Sequence, residues 1–159
     1  PGKKIPALQH GDLNLTESGA ITHFLMDTYS AAQWQAAEHA QINRWIFFAL
    51  TELDATALYV IRRHEGLPDV YGAAPSAVSA AYAYVDRQLA VLQQALADNR
   101  TYLLAERFSE ADIHMGSCLD WAMLIDIELP EQIAAYHLRL QERAAYQQAN
   151  TANSTTQDV

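Results

Sequence analysis

Apolar and polar positions alternate by two at the start of this chain and by three and four almost everywhere after it. In KIPALQHGDLNLT, Ile5, Ala7 and Gln9 alternate with Pro6 and Leu8, and Leu13 and Leu15 flank Asn14. That period predicts two short strands. His10-Gly11-Asp12 lies between them, with Gly11 suited to positive φ, so the pair reads as a hairpin. Ile21, Phe24 and Leu25 then recur at helical spacing, and Thr16 or Ser18 can cap the helix they mark. Thr28, Tyr29 and Ser30 break that pattern, which makes Asp27 to Ala32 a linker.

Beyond the linker the pattern is helical. A long helix is expected over 32–63, with Ile42, Trp45, Ile46, Ala49, Leu50, Leu53, Ala57 and Ile61 on one face and Gly66-Leu67-Pro68 at its end. A second begins near Pro75-Ser76, carries Val78, Tyr82, Val85, Leu89, Leu92 and Leu96, and stops at Asp98-Asn99. Matching stripes and a short connection predict antiparallel packing. In FSEADI, Ser109 and Asp112 form an Asp variant of the capping box, and Phe108 and Ile113 stand where a hydrophobic staple needs them. A buried helix is therefore expected from Ser109 to about Ile125. Asp112 reads as structural, because a capping carboxylate is already occupied. Pro130 fits the first turn of a further helix. The polar, Thr- and Asn-rich stretch 150–159 reads as a disordered tail.

Composition narrows the function classes. The chain has 159 residues, 50% of them hydrophobic, and a net charge of −9. With no basic patch to neutralise phosphate, nucleic acid and anionic membranes are disfavoured as partners. No apolar run approaches the ~20 residues of a membrane span. The one cysteine, Cys118, excludes an internal disulfide framework and fits a reducing, cytoplasmic setting. Cys118 lies in an expected buried helix, where a structural thiol is the ordinary reading. No two of the six histidines stand four apart and no cysteine joins them at ligand spacing, so no metal is expected.

Candidate chemistry concentrates at Glu17-Ser18. A helix N-terminus with free N–H groups and a serine hydroxyl favours a carboxylate or phosphate. Glu17 beside it favours an ammonium, so together they suit an amino-acid head group. The plainer alternative is a capped helix start with no ligand.

IPAL followed by LTESGAI resembles the glutathione-binding segment of the glutathione S-transferase family. YLLAERFSEADI and CLDWAMLIDIELPEQIAAYHLRLQERAAYQQA resemble that family's helical domain. The resemblance spans roughly Lys4 to Ala149. It implies a mainly α fold: residues 1–29 as the C-terminal part of a thioredoxin-like domain with its hairpin and helix, and 30–149 as the all-α C-terminal bundle. It also implies a cis Ile5-Pro6 bond, with the Ile5 backbone on the cysteinyl part of glutathione, the γ-glutamyl group on Glu17 and Ser18, and Lys4 at the other end. Trp45, Phe48 and Tyr59 are the resemblance's candidates for a hydrophobic co-substrate pocket. In some bacterial members a histidine assists a catalytic cysteine where this chain has Asp54, which argues against that subclass.

The activity so implied is conjugation of glutathione, as substrate, to small electrophilic hydrophobic compounds by a dimeric detoxifying enzyme. In the family the activating Tyr, Ser or Cys lies in a βαβ unit before the Ile-Pro segment, so no residue here is given a catalytic role. Without that unit the hairpin has an uncovered edge. Residues 1–29 are therefore expected to be held by docking on the helical part or by a second copy. The alternative function is a non-catalytic binding or assembly module of the same fold.

Overall fold

The alternating start folds as a hairpin. In the computed structural model, which describes residues 5–30 and 33–154, β1 (Ala7–His10) pairs antiparallel with β2 (Leu13–Thr16). Register runs from Ala7 opposite Thr16 to His10 opposite Leu13. Gly11 turns the chain at φ 58°, which glycine adopts without steric cost. Leu8 and Leu15 face each other across the ladder and are the half-buried pair of an otherwise exposed hairpin. His10 ties the hairpin to α1 (Ser18–Tyr29): its ring meets Phe24 edge-on at 5.3 Å and its Nε2 lies 2.7 Å from the Tyr29 hydroxyl. The helix therefore continues through residues expected in a linker, since the Ser30 N–H still bonds Met26 O. The rest of that expected linker, positions 31 and 32, lies outside the described residues.

The long helix differs from the uniform α-helix that the stripe predicts. α2 (Ala36–Phe47) starts four residues later than position 32, where the Gln35 N–H donates to Glu38 Oε2 at 2.8 Å. It then winds without a break through a π-helical stretch (Phe48–Leu58), a single α turn, α3 (Tyr59–Ile61), and a second π stretch (Arg62–Gly66). The Tyr59 N–H accordingly reaches Asp54 O, five residues back. Wider turns lengthen the buried repeat to steps of four, and Ala49, Leu53, Ala57 and Ile61 are all buried. Runs of this kind are rare and cluster at functional sites. α4 (Pro68–Tyr71) follows as one short turn closed by the Gly72 N–H on Pro68 O.

α5 (Pro75–Ala95) packs antiparallel to the long helix through Val78, Ala81, Val85, Leu89 and Leu92. α6 (Glu110–Leu124) runs through the centre of the bundle, with Ala111, Met115, Cys118, Leu119 and Ala122 in the core. Pro130 caps rather than enters α7 (Glu131–Gln141), whose Ile133, Tyr136 and Leu140 close the core. α8 (Ala144–Ser154) runs five residues into the stretch expected to lack order, and 155–159 lie outside the described residues.

The capping box at Ser109 is part of a larger network. Asp112 Oδ2 accepts from the Ser109 N–H at 2.9 Å and the Ser109 hydroxyl at 3.1 Å. Its Oδ1 accepts from the Leu103 N–H at 2.9 Å and the Tyr136 hydroxyl at 2.8 Å. Burial pushes the Asp112 carboxyl up against these four donors. Ile113, the expected staple partner of Phe108, is 41% exposed. The helix end is buried instead because Leu103 and Tyr136 converge on it.

Candidate functional site

Between the start of α1 and one face of the long helix lies a cleft of about 730 Å³. Its floor is the first turn of α1. The first intrahelical bond there runs from the Ile21 N–H to Glu17 O at 3.0 Å, so the N–H groups of Ser18, Gly19 and Ala20 have no partner within the helix. No side chain caps this end. Capping by Thr16 or Ser18 is therefore not made: Thr16 is committed to the β2 ladder, and Ser18 already sits in the first helical position. Glu17 occupies the N-cap at φ 69°, ψ 119°, a conformation that side-chain-bearing residues rarely adopt. Among the described residues neither the Glu17 carboxylate nor the Ser18 hydroxyl has a hydrogen-bond or ion-pair partner. The corner thus sets a positive-φ residue beside three amides that have no partner within the helix.

Gly19 sets how closely this turn approaches the wall. A Cβ there would stand 3.2 Å from Leu50 Cδ1 and 3.6 Å from Ile46 Cγ2. The wall itself is the face of the long helix that runs from Asn43 through Phe47, Leu50, Thr51 and Asp54 to Tyr59 and Arg63. Burial pushes the Asp54 carboxyl up, against the opposing charge of Arg62, and Asp54 Oδ1 has no partner among the described residues.

α1 is docked on the helical bundle, as its exposed hairpin requires. His23 Nδ1 lies 3.1 Å from Glu110 Oε1, and Glu110 is only 1% exposed. His114 Nε2 lies 2.8 Å from the Thr22 hydroxyl, which also reaches Ser18 O at 3.0 Å. Burial holds the His114 imidazole below its usual range, in spite of the nearby Glu110. These contacts fix the turn that carries Ser18 against α6.

The structure brings some of the expected site residues together and separates others. Glu17, Ser18 and Tyr59 line one cleft. The Ile5-Pro6 peptide is cis, and Ile5 is exposed just ahead of β1. Lys4 lies outside the described residues. Trp45 and Phe48 do not line the cleft: Trp45 is 3% exposed and meets Phe48 edge-on at 5.3 Å on the core side. The helical rotation that turns Ile46 and Phe47 toward α1 carries Trp45 and Phe48 away from it. Sequence reading missed Phe47, Thr51 and Arg63 and set Leu50 on the buried stripe, whereas all four line the cleft on a stripe offset from the buried one. It also missed Glu110, hidden in the first turn of a helix read only for its cap. Cys118 is the structural thiol expected: its Sγ lies 3.5 Å from Ala49 O, and burial, aided by the Asp54 charge, pushes it up to about 12.

Comparison with known proteins gives this arrangement a lineage. The family profile described as glutathione S-transferase, C-terminal domain, matches residues 75–144. Elongation factor 1-gamma of Carassius auratus is 37% identical over 123 residues, covering 76% of this chain and 26% of that protein. Human glutathione S-transferase theta-1 is 29% identical over 119 residues, covering 71% of this chain and 50% of that protein. The chain thus spans a quarter to a half of the length of these two curated relatives. The solved theta class glutathione S-transferase from the citrus canker pathogen Xanthomonas axonopodis pv. citri, with glutathione bound, superposes with a TM-score of 0.76. It is 31% identical, over 91% of this chain and 70% of that one. With a thioredoxin-like hairpin and helix docked on an all-α bundle, and with this likeness along most of its length, the chain belongs to the glutathione S-transferase family.

Proposed function

We propose that the cleft binds glutathione and that the protein conjugates the tripeptide's thiolate to small electrophilic hydrophobic compounds. The observation that carries this reading is the set of uncommitted groups at one corner: three free amides, the Ser18 hydroxyl and the Glu17 carboxylate. A γ-glutamyl carboxylate complements the amides and the hydroxyl, and its ammonium complements Glu17. The exposed cis Ile5-Pro6 segment supplies backbone for the cysteinyl part, and Lys4 an ammonium for the far carboxylate. Phe47, Leu50 and Tyr59 offer the co-substrate an apolar wall. In this reading the cleft contributes binding and orientation, the protein is a homodimer, and no metal takes part.

Calorimetric titration with reduced glutathione tests it. Ser18→Ala is expected to weaken binding by roughly tenfold or more, since a hydrogen bond to a charged group is worth ~1.5–3 kcal/mol. An unchanged affinity overturns the reading. The likeness to elongation factor 1-gamma supports a second reading, a non-catalytic module of the same fold. Glutathione binding with no conjugation of an aryl halide, together with tight association to a protein partner, decides for the module.

A further inference from the structure

Further along the cleft stands a cation with no ion-pair partner among the described residues. Arg63 Cζ lies 4.4 Å from the Tyr59 ring centroid and 5.0 Å from that of Tyr71. Tyr71 is brought there by α4, which folds back after Gly66 and is held by His64 Nδ1, 2.8 Å from Gly72 O. Two rings thus hold one guanidinium, which keeps its orientation at low entropic cost. Among the described residues Arg63 has no hydrogen-bond acceptor and no carboxylate within ion-pair distance. Arg107 is committed to Glu38 at 2.7 Å and Arg100 to Asp98 at 2.7 Å, whereas Arg44, Arg62 and Arg87, like Arg63, have aromatic rings beside them; of these four only Arg63 lines this cleft. Arg63 keeps its whole fork of donors open toward the cleft that Glu17 and Ser18 line at its other end.

Distance separates the two ends. Leu50, which α1 touches through Gly19, lies thirteen residues before Arg63 along the same helical rod. At the α-helical rise that is up to about 20 Å. Ser18 lies where α1 meets the wall at Leu50, and Arg63 lines the wall further along the rod. From Leu50 the wall runs through Ala55 and Tyr59 and ends in that fixed fork, a shape that accepts an aromatic body ending in a carboxylate, which a planar guanidinium binds bidentately. In a chain of net charge −9, an anion is otherwise repelled, so a local cation decides whether one enters.

We propose that Arg63, held by Tyr59 and Tyr71, is an anion subsite that selects aromatic electrophiles carrying a carboxylate over their neutral counterparts. Calling the anion a co-substrate rests on the glutathione-binding reading above; the subsite itself does not. The test compares 4-chloro-3-nitrobenzoate with 4-chloro-3-nitrobenzamide, near-isosteres that differ in charge, by calorimetry on the full chain at low salt. The benzoate is expected to bind about tenfold more tightly. Arg63→Gln should bring the two affinities together, while Arg63→Lys should keep part of the difference. Equal affinities for the two compounds, or a preference that survives Arg63→Gln, overturn the subsite. Failure of both compounds to bind overturns it as well. An Arg63-dependent preference in a protein that does not bind glutathione upholds the subsite and removes the glutathione reading. Because Arg63 is exposed and outside the core, the variants are expected to keep the helical circular dichroism of the parent.

Discussion

Replacing Glu17 with glycine separates the cost of the site from its use. Glu17 holds φ 69° and ψ 119°, and its side chain has no partner among the described residues. A side-chain-bearing residue in such a region costs roughly 1–3 kcal/mol. The ψ value lies beyond the ordinary left-handed basin, so a strain of about 2 kcal/mol is reasonable. Glycine tolerates positive φ but loses ~0.5–1 kcal/mol more backbone entropy on folding. Glu17→Gly should therefore stabilise the protein by about 1–1.5 kcal/mol. For a chain of this length that raises the unfolding midpoint by roughly 2–6 °C. The same substitution removes the carboxylate opposite the ligand's ammonium and should weaken glutathione binding by ~10- to 100-fold. Glu17→Gln keeps the strain but loses the charge, so it should lower affinity at an unchanged midpoint. Differential scanning calorimetry and isothermal titration on the three proteins read both effects. A midpoint for Glu17→Gly at or below the parent's refutes the strain argument. A raised midpoint with intact affinity refutes the role of Glu17 in binding.

Asp112→Ala strands four buried donors and should cost ~4 kcal/mol or more, whereas Asp112→Asn, which still accepts on one oxygen, should cost ~1–3 kcal/mol; urea midpoints at constant m check this. Cys118, pushed up to about 12, should resist alkylation by iodoacetamide at pH 8 in the folded protein and react fully in urea, as peptide mass shifts will show. Because burial lowers the folded imidazole of His114, the unfolded chain takes up that proton first as pH falls. Stability should then decline as pH drops below about 6.5, by no more than ~1.4 kcal/mol per pH unit, and His114→Gln should flatten that limb. Amide exchange across β1 and β2 should be fast compared with α5 and α6, because little of the hairpin is buried, and equal protection would count against docking through α1 alone.

What the chain determined by itself is what depends on short range. Hairpin and turn follow from alternation around a glycine, α5 and α6 from apolar spacing, and the box at Ser109 from two residues three apart. Each is a contact within one element, so spacing encodes it. The helix start at Glu17-Ser18 was also legible, because the apolar spacing that follows marks it locally. Tertiary structure decided the rest. Trp45 and Phe47 stand two apart on one rod; packing of the bundle makes one a core residue, and the position of α1 makes the other a wall of the cleft. The π-helical winding that aligns Phe47, Leu50, Tyr59 and Arg63 changes the helical period itself, so a fixed 3.6-residue pattern could not register it. Leu103 and Tyr136 on Asp112, Glu110 under His23, and Tyr71 on Arg63 join residues from separate elements. A linear pattern carries no term for such meetings; they exist once packing has chosen which faces touch.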